Sequence, residues 1–338
     1  MAGIRDVAAK AGVSVGTASR ALNGTGPVSA AARERVERAA KELRYVASYT
    51  ATALKSGRSR NIGVILPAID RWFYGKVVTG IADELIDVGY ELALYNTQGS
   101  HEHQEAVLGD YLWRQRLDAV IPVSLQLSAA EITRLLSMDR PVVGVGGPMP
   151  GVLTVSIDQS ATGALATAHL IGLGHREIAH VTGGTDPERD FHLTDSRRGG
   201  FEGEMSRAGL QVRDDWVLRS DFTLGDSYRQ AKVLLSGRER PTAVFAASDE
   251  MAMGVILAAR DLGLRVPDAL SVVGVDGHEM GEAFGLTTIR QFPERQGARA
   301  AQRLLTHLAD PPPPDDINLH EVLPTELVVR SSTAAPGE

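Results

Sequence analysis

Ile4-Arg5-Asp6-Val7-Ala8-Ala9-Lys10-Ala11-Gly12-Val13-Ser14, continued by Thr17-Ala18-Ser19-Arg20-Ala21-Leu22-Asn23, is the stretch on which the reading of this chain turns. Ile4, Val7, Ala8 and Ala11 recur at i, i+3, i+4 and i+7, so one face of a short helix is apolar, and Gly12 ends it. Ser14 stands where its hydroxyl can accept a free N–H at the start of a second helix. That helix runs through about Leu22 into the turn-forming Asn23-Gly24-Thr25-Gly26-Pro27. Ser29 caps a third, longer helix, with Val36, Ala39, Ala40 and Leu43 as its apolar stripe and Arg33, Arg35, Arg38, Lys41 and Arg44 among its polar positions. With only Gly12-Val13 between the first two, the three helices make a helix-turn-helix.

Charge separates this segment from the rest. The first sixty residues hold eleven Lys or Arg against four Asp or Glu, whereas all 338 residues hold 35 against 42, a formal net charge of -7. Residues 61–338 therefore carry 24 basic and 38 acidic side chains. A +7 segment joined to a -14 body divides two tasks, because clustered positive charge gains free energy by displacing counterions from a polyanion, here DNA.

The chain is longer than one core normally accommodates and, at 43% hydrophobic, is expected to be globular with two or three domains. It has no cysteine, which excludes a disulfide framework, thiolate catalysis and cysteine-ligated zinc. Arg5, Asp6 and Lys10 interrupt the apolar run that a signal peptide needs, and no stretch is apolar enough to span a bilayer. A cytoplasmic protein without a membrane partner is expected.

In a helix-turn-helix the second helix enters the major groove with its N-terminal residues toward the base edges, which directs Val15, Gly16 and Arg20 at DNA. The guanidinium of Arg20 can donate two hydrogen bonds to O6 and N7 of guanine, whereas Val15 offers apolar contact and Gly16 close approach. Ser14, Thr17, Asn23 and Ser29 suit phosphate contacts that set position rather than sequence. Gly12-Val13-Ser14-Val15-Gly16 also matches the nucleophile elbow of serine hydrolases. That motif requires a strand before the serine, and residues 4–11 read as a helix.

These residues resemble the headpiece of LacI/GalR transcriptional regulators. The resemblance continues through Val28-Ser29, Arg33, Val36, Ala39 and Leu43-Arg44-Tyr45, then Leu173-Gly174-His175-Arg176, Ser248-Asp249-Glu250-Met251-Ala252 and Val272-Val273-Gly274-Val275-Asp276. It implies a headpiece over 1–46, a hinge helix and linker over 47–60, and an effector-binding, dimerising core over 61–338. Leu54, in Ala51-Thr52-Ala53-Leu54-Lys55-Ser56-Gly57, matches the leucine that such a hinge wedges into the minor groove, where an apolar wedge bends the duplex. Ala47-Ser48 departs from the Pro-Asn of many members.

From Asn61 onward, apolar β-branched runs alternate with helical stretches: Ile62–Leu66, Glu91–Tyr95, Ala119–Val123, Val142–Val145, Ile178–Thr182, Ala243–Ala247 and Ser271–Val275. That is the pattern of doubly wound parallel α/β sheet, and a break around Ser156–Thr162 indicates two units in series. The resemblance implies the periplasmic-binding-protein-like core. Its first subdomain would take about 61–158 and 291–320, and its second about 159–290 and 321–330.

Ligands of open α/β sheets bind beyond the C-terminal strand ends. Asp70 and Trp72-Phe73-Tyr74 follow the first strand, Asn96 the second, and Ser248-Asp249 and Asp276 two later ones, while Arg197 opens a helix. In the family, positions matching Phe73, Arg197, Phe222, Asp249 and Asp276 line or support the effector cleft. The expected effector residues are thus Asp70, Phe73, Tyr74, Arg197, Phe222, Asp249 and Asp276. Aromatic faces with an arginine and carboxylates suit a sugar or sugar derivative, whose C–H faces stack while its hydroxyls pair with charged groups. Each has a plainer reading: Asp249 as a cap of the helix to Leu262, Arg197 as a surface partner of Asp195 or Asp190, Phe73 and Phe222 as core.

Enzyme readings find little support. His101-Glu102-His103 has the wrong spacing for one helix face and reads as a solvated loop rather than a metal site. No phosphate loop and no dinucleotide fingerprint is present. The segment Pro311-Pro312-Pro313-Pro314-Asp315-Asp316 reads as an exposed linker, and no terminal leucine heptad follows it, so a dimer is expected. Taken together, the expectation is a homodimeric repressor of double-stranded operator DNA under the control of a small-molecule effector, with no cofactor. The competing reading is a solute-binding protein or sugar-processing enzyme on the same core.

Overall fold

The computed structural model describes residues 2–24, 26–45, 59–114, 116–184, 193–310 and 319–337. It divides into two compact units, Met1–Arg60 and Asn61–Glu338. Leu54 and the hinge positions 46–58 lie outside the described residues, as do Asp190 and the proline run at 311–314.

Among the described residues the first unit holds three helices, α1 (Ile4–Ala11), α2 (Val15–Asn23) and α3 (Ala30–Glu42). Gly12 closes α1 in the left-handed region at φ 65°, where glycine carries no Cβ penalty. The Ser14 hydroxyl accepts the Thr17 N–H at 3.1 Å to open α2, and Ser29 does the same for Ala32 at 3.3 Å. Val7, Ala8, Ala18, Ala21, Val36 and Ala39 form the buried centre, whose small side chains let three short helices approach closely. Arg35 Nε donates to the Ala11 carbonyl at 3.2 Å, tying α3 to the end of α1.

The second unit holds two lobes. In the first, β1 (Asn61–Leu66), α4 (Trp72–Ile86), β2 (Glu91–Asn96), α5 (His101–Ala106), β3 (Ala119–Pro122), α6 (Ala129–Leu136), β4 (Val143–Val145) and β5 (Leu153–Ile157) follow in order. β1 pairs in parallel with β2 and β3, and bridges Val120–Val142 and Val123–Val145 join β3 to β4, which pairs with β5. His101-Glu102-His103 begins α5, capped by Ser100, rather than forming the expected loop, because the serine hydroxyl satisfies the His103 N–H.

The chain then passes to the second lobe. There α7 (Gln159–Gly172), β6 (Ile178–Thr182), α8 (Leu193–Arg207), β7 (Val217–Arg219), α9 (Leu224–Leu235), β8 (Ala243–Ala246), α10 (Asp249–Asp261), β9 (Ser271–Asp276), α11 (Met280–Ala283) and β10 (Thr287–Arg290) follow. It returns through α12 (Pro293–Ala309) and β11 (His320–Leu323), and crosses last into β12 (Glu326–Val328). The second sheet has the order β12-β10-β9-β8-β6-β7. All its pairings are parallel except that of β12 with β10. One boundary moves from its expected place: His320–Leu323 pairs with Thr154–Ile157 of the first lobe, so the last crossing falls at Pro324 and Thr325 rather than before Glu321.

Glycine positions the helix pairs that flank the cleft. A Cβ on Gly80 of α4 would lie 2.0 Å from the Glu294 carbonyl oxygen of α12. One on Gly163 of α7 would lie 2.1 Å from that of Arg197 in α8. Each lobe therefore has a helix pair in backbone contact beside the cleft, and in the second lobe the contact at Gly163 locates Arg197.

Candidate functional site

The strands of both lobes end at a common cleft, as the switch-point rule for open α/β sheets requires. The cleft encloses a cavity of about 200 Å³. Phe73 and Tyr74 of α4 and Ser124 beyond β3 face it from the first lobe, and Arg197, Phe222 and Asp276 face it from the second. Gln291, where the chain crosses back, lies between them.

Asp276 is the last residue of β9 and only 7% exposed. Its Oδ1 accepts from Gln291 Nε2 at 2.5 Å, and its Oδ2 accepts the Asp249 N–H at 3.4 Å. Burial, followed by the charge of Asp249, pushes its pKa up to about 8, against the pull of Arg197 and Gln291. Arg197 is 2% exposed, which lowers its pKa to about 10 against the pull of Asp276, Asp249 and Tyr74. Its Nε donates to Gln159 Oε1 at 2.8 Å and its terminal nitrogen to the Ala247 carbonyl. Burial also raises the Tyr74 phenol. An acceptor and a donor thus share one wall of an aromatic-lined cavity, an arrangement chemically able to take up hydroxyl groups and C–H faces.

Two expected residues stand elsewhere. Asp70 is exposed and does not line the cavity; its neighbour Arg71 does. Asp249 is fully buried and turned to the loop after β9, where its Oδ2 accepts the N–H groups of Gly277 at 2.9 Å and His278 at 2.7 Å. It is a support for Asp276 rather than a cavity wall, and the cap of α10 is Ser248, whose hydroxyl accepts the Met251 N–H at 3.2 Å. Burial raises the Asp249 pKa to about 6. Arg197 does not open its helix either, since α8 begins at Leu193. Its partners are Gln159 and Ala247, so it belongs to the interior rather than to a surface pair.

Sequence reasoning missed Arg71, Ser124 and Gln291. The Ser124 backbone is left-handed at φ 45°, and its hydroxyl is buried with no hydrogen-bond partner in the structure, so it can meet a ligand without breaking an existing bond. Gln291 follows a strand whose crossing was foreseen near Thr287–Phe292, and a polar residue at a crossing was the available signal.

In the three-helix unit, α2 presents Val15, Gly16 and Arg20 on its exposed side, with Val15 44% exposed. Arg20 Nε donates to its own helix at the Gly16 carbonyl, 3.2 Å away. Ser14 and Thr17 share a 2.9 Å hydroxyl contact, and Ser29 is engaged as a cap, so these hydroxyls first serve the helix starts. The Asn23 side chain lies outside the described residues. Among the described residues there is no cluster of potential metal ligands and no helix long and apolar enough to cross a membrane.

Comparison with known proteins finds relatives of both units. Residues 3–48 match the family described as bacterial regulatory proteins, lacI family, and residues 167–333 match the periplasmic binding protein-like domain. An HTH-type transcriptional repressor PurR from Vibrio vulnificus (strain CMCP6) is 34% identical over 341 residues, which cover 98% of each chain. The lac repressor dimer bound to operator and the anti-inducer ONPF superposes with a TM-score of 0.88 at 26% identity, covering 99% of each chain. The transcriptional regulator CelR in complex with cellobiose superposes with a TM-score of 0.73 at 31% identity, covering 98% of this chain and 100% of that one.

Proposed function

This chain belongs to the LacI family of bacterial regulatory proteins, and we propose that a sugar or sugar derivative in its interlobe cavity sets the operator affinity of its helix-turn-helix. It is a DNA-binding transcriptional repressor under allosteric control, built from a LacI-type DNA-binding unit and a periplasmic-binding-protein-like core. Operator DNA, a small-molecule effector and a second copy of the chain are its partners. A cytoplasmic location follows from that work.

The observation that carries the effector reading is the placement of Asp276 and Arg197 on one wall of the cavity, with Phe73 and Phe222 also facing it. Paired donor and acceptor take up neighbouring hydroxyls, and aromatic faces take up the C–H faces of a sugar ring. The related regulator CelR is seen with cellobiose, which favours the same ligand class here. In this reading Arg20 reads bases, with Val15 and Gly16 beside it. Ser14, Thr17, Asn23 and Ser29 meet phosphates, and Leu54 enters the minor groove. Phe73, Tyr74, Arg197, Phe222 and Asp276 hold the effector, with Asp249 behind them. The headpiece occupies 1–46, the hinge 47–60 and the core 61–338.

The test is calorimetric titration of the full-length protein with cellobiose, glucose, ribose and, as a different class, hypoxanthine. Saturable binding of a sugar that weakens at least tenfold in Asp276→Asn supports the assignment. Binding of hypoxanthine alone, or of no sugar, contradicts it.

A further inference from the structure

The start of α4 reaches across the cleft at two points. Arg71 donates one terminal nitrogen to the Phe222 carbonyl and the other to the Asp221 carbonyl, each at 3.3 Å. Trp72 donates Nε1 to Glu279 Oε2 at 2.5 Å and stacks on His278, with ring centroids 4.6 Å apart. One turn on, Lys76 lies 3.8 Å from the same Glu279 carboxylate, 3.2 Å from Glu294 and 5.7 Å from the Trp72 ring centroid. Arg71, Trp72 and Lys76 belong to the first lobe, whereas Asp221, Phe222, His278 and Glu279 belong to the second.

The groups that receive these contacts adjoin the effector wall. Phe222 lines the cavity with its backbone at φ 62°, a left-handed conformation that a bulky aromatic holds only where its surroundings impose it. Its ring lies where a Cβ on Gly183 would be, 1.9 Å away, so the second lobe supplies the seat and Arg71 supplies the hold from the opposite lobe. His278 is two residues from Asp276, and its N–H is fixed by Asp249 at 2.7 Å. Trp72, Lys76, His278 and Glu279 themselves do not line the cavity. Their contacts join the lobes without occupying the effector's place.

We propose that Arg71 and Trp72 form an interlobe clasp that keeps the lobes closed without effector and makes Arg71 the positioning residue for Phe222. Opening the lobes breaks two guanidinium–carbonyl bonds, the indole–carboxylate bond and the ring stack together. An effector can shift the lobe equilibrium only by its difference in affinity for the closed and open forms. With the clasp in place, the closed form is already the populated one, and the effector enters a prepared site. This extends the reading of the cavity as the effector site.

The chain has no cysteine, so Glu102→Cys and Arg238→Cys place one spin label on each lobe of the full-length protein. Labelled chains are diluted with unlabelled ones, and interlobe distances are measured with no ligand. A single narrow distance is expected for the parent. Arg71→Met with Glu279→Gln should move more than half of that population to longer, broader distances, whereas Arg71→Lys, which keeps the charge and a donor, should retain it. Glu279→Gln alone gives a smaller broadening and serves if the double variant does not fold, as judged by its melting curve. A broad distribution in the parent, or variants that superpose on it, overturns the clasp. Because no ligand is added, failure of the effector assignment leaves this result independent.

Discussion

Asp276 Oδ1 and Gln291 Nε2 meet at 2.5 Å, joining the last residue of β9 to the crossing by which the chain leaves the second lobe. A carboxylate at the end of an apolar strand is costly unless partnered. Here the partner stands on the segment by which the chain crosses between the lobes. The acceptor proposed for the effector and the crossing between the lobes are therefore one hydrogen bond apart.

The Asp276 carboxyl has its pKa raised to about 8 by burial and then by Asp249, far above the value of 3.8 in an unfolded chain. The folded state therefore holds the proton more tightly, so this group's contribution is full below about pH 4 and is lost as pH rises toward 8. Asp276→Asn should flatten that part of the profile. Thermal melts at pH 5, 7 and 9 check it: the fall in melting temperature across this range should be smaller in the variant, and equal slopes would contradict the burial of a proton at Asp276.

Gly163→Ala brings a methyl to within 2.1 Å of the Arg197 carbonyl oxygen. The backbone on both sides must separate, at about 1–3 kcal/mol for overpacking. Denaturant unfolding should show that loss. Binding of a sugar should weaken as well, because Arg197 shifts with its helix, whereas Gly203→Ala, with nothing within 4 Å of its Cβ, should keep binding and keep or raise stability.

Ser124→Ala removes a buried hydroxyl that has no partner. Leaving a buried polar atom unpaired is unfavourable, so the melting temperature should stay level or rise. Affinity for a hydroxylated ligand should fall by about one neutral hydrogen bond, roughly 0.5–1.5 kcal/mol. Calorimetry and thermal melts together separate this from a folding defect, in which both would fall.

Arg20→Ala should weaken binding to an operator selected from random pseudo-palindromic duplexes by about 1–3 kcal/mol and relax preference at one guanine of each half-site. Binding of a sugar by the core should be unaffected. Fluorescence anisotropy with the selected duplex and single-base variants measures both effects. Undiminished specificity would remove Arg20 from the reading helix.

Much of this organisation was legible from residues alone, for physical reasons. Val7, Ala8 and Ala11 show the helical period because α1 buries a single face, and Ser14 and Ser29 mark helix starts because only a side-chain acceptor there satisfies the first N–H groups. β1, β6, β8 and β9 read as strands because both their faces are buried. By contrast, β11 and β12 are short and half-buried, with no continuous apolar run, and the final crossing was misplaced accordingly. Asp276 announced itself as a charge ending an apolar strand. Ser124, Arg71 and Gln291 did not, because each reaches the cavity through a loop or a crossing whose path only tertiary packing sets. Asp70 and Asp249 show the converse error: adjacency to a strand end does not decide which of two neighbouring side chains turns into the cleft.

The central claim is that occupancy of the cavity and operator affinity are coupled through Asp276. The direct measurement is anisotropy of the selected operator duplex titrated with full-length protein, with and without a saturating sugar identified by calorimetry, for the parent and for Asp276→Asn. Coupling of this kind changes affinity by about 5–150-fold. The account predicts a change of at least about fivefold in the parent, in whichever direction the ligand acts, and none in Asp276→Asn at the same sugar concentration. An equal ligand response in the two proteins would contradict it.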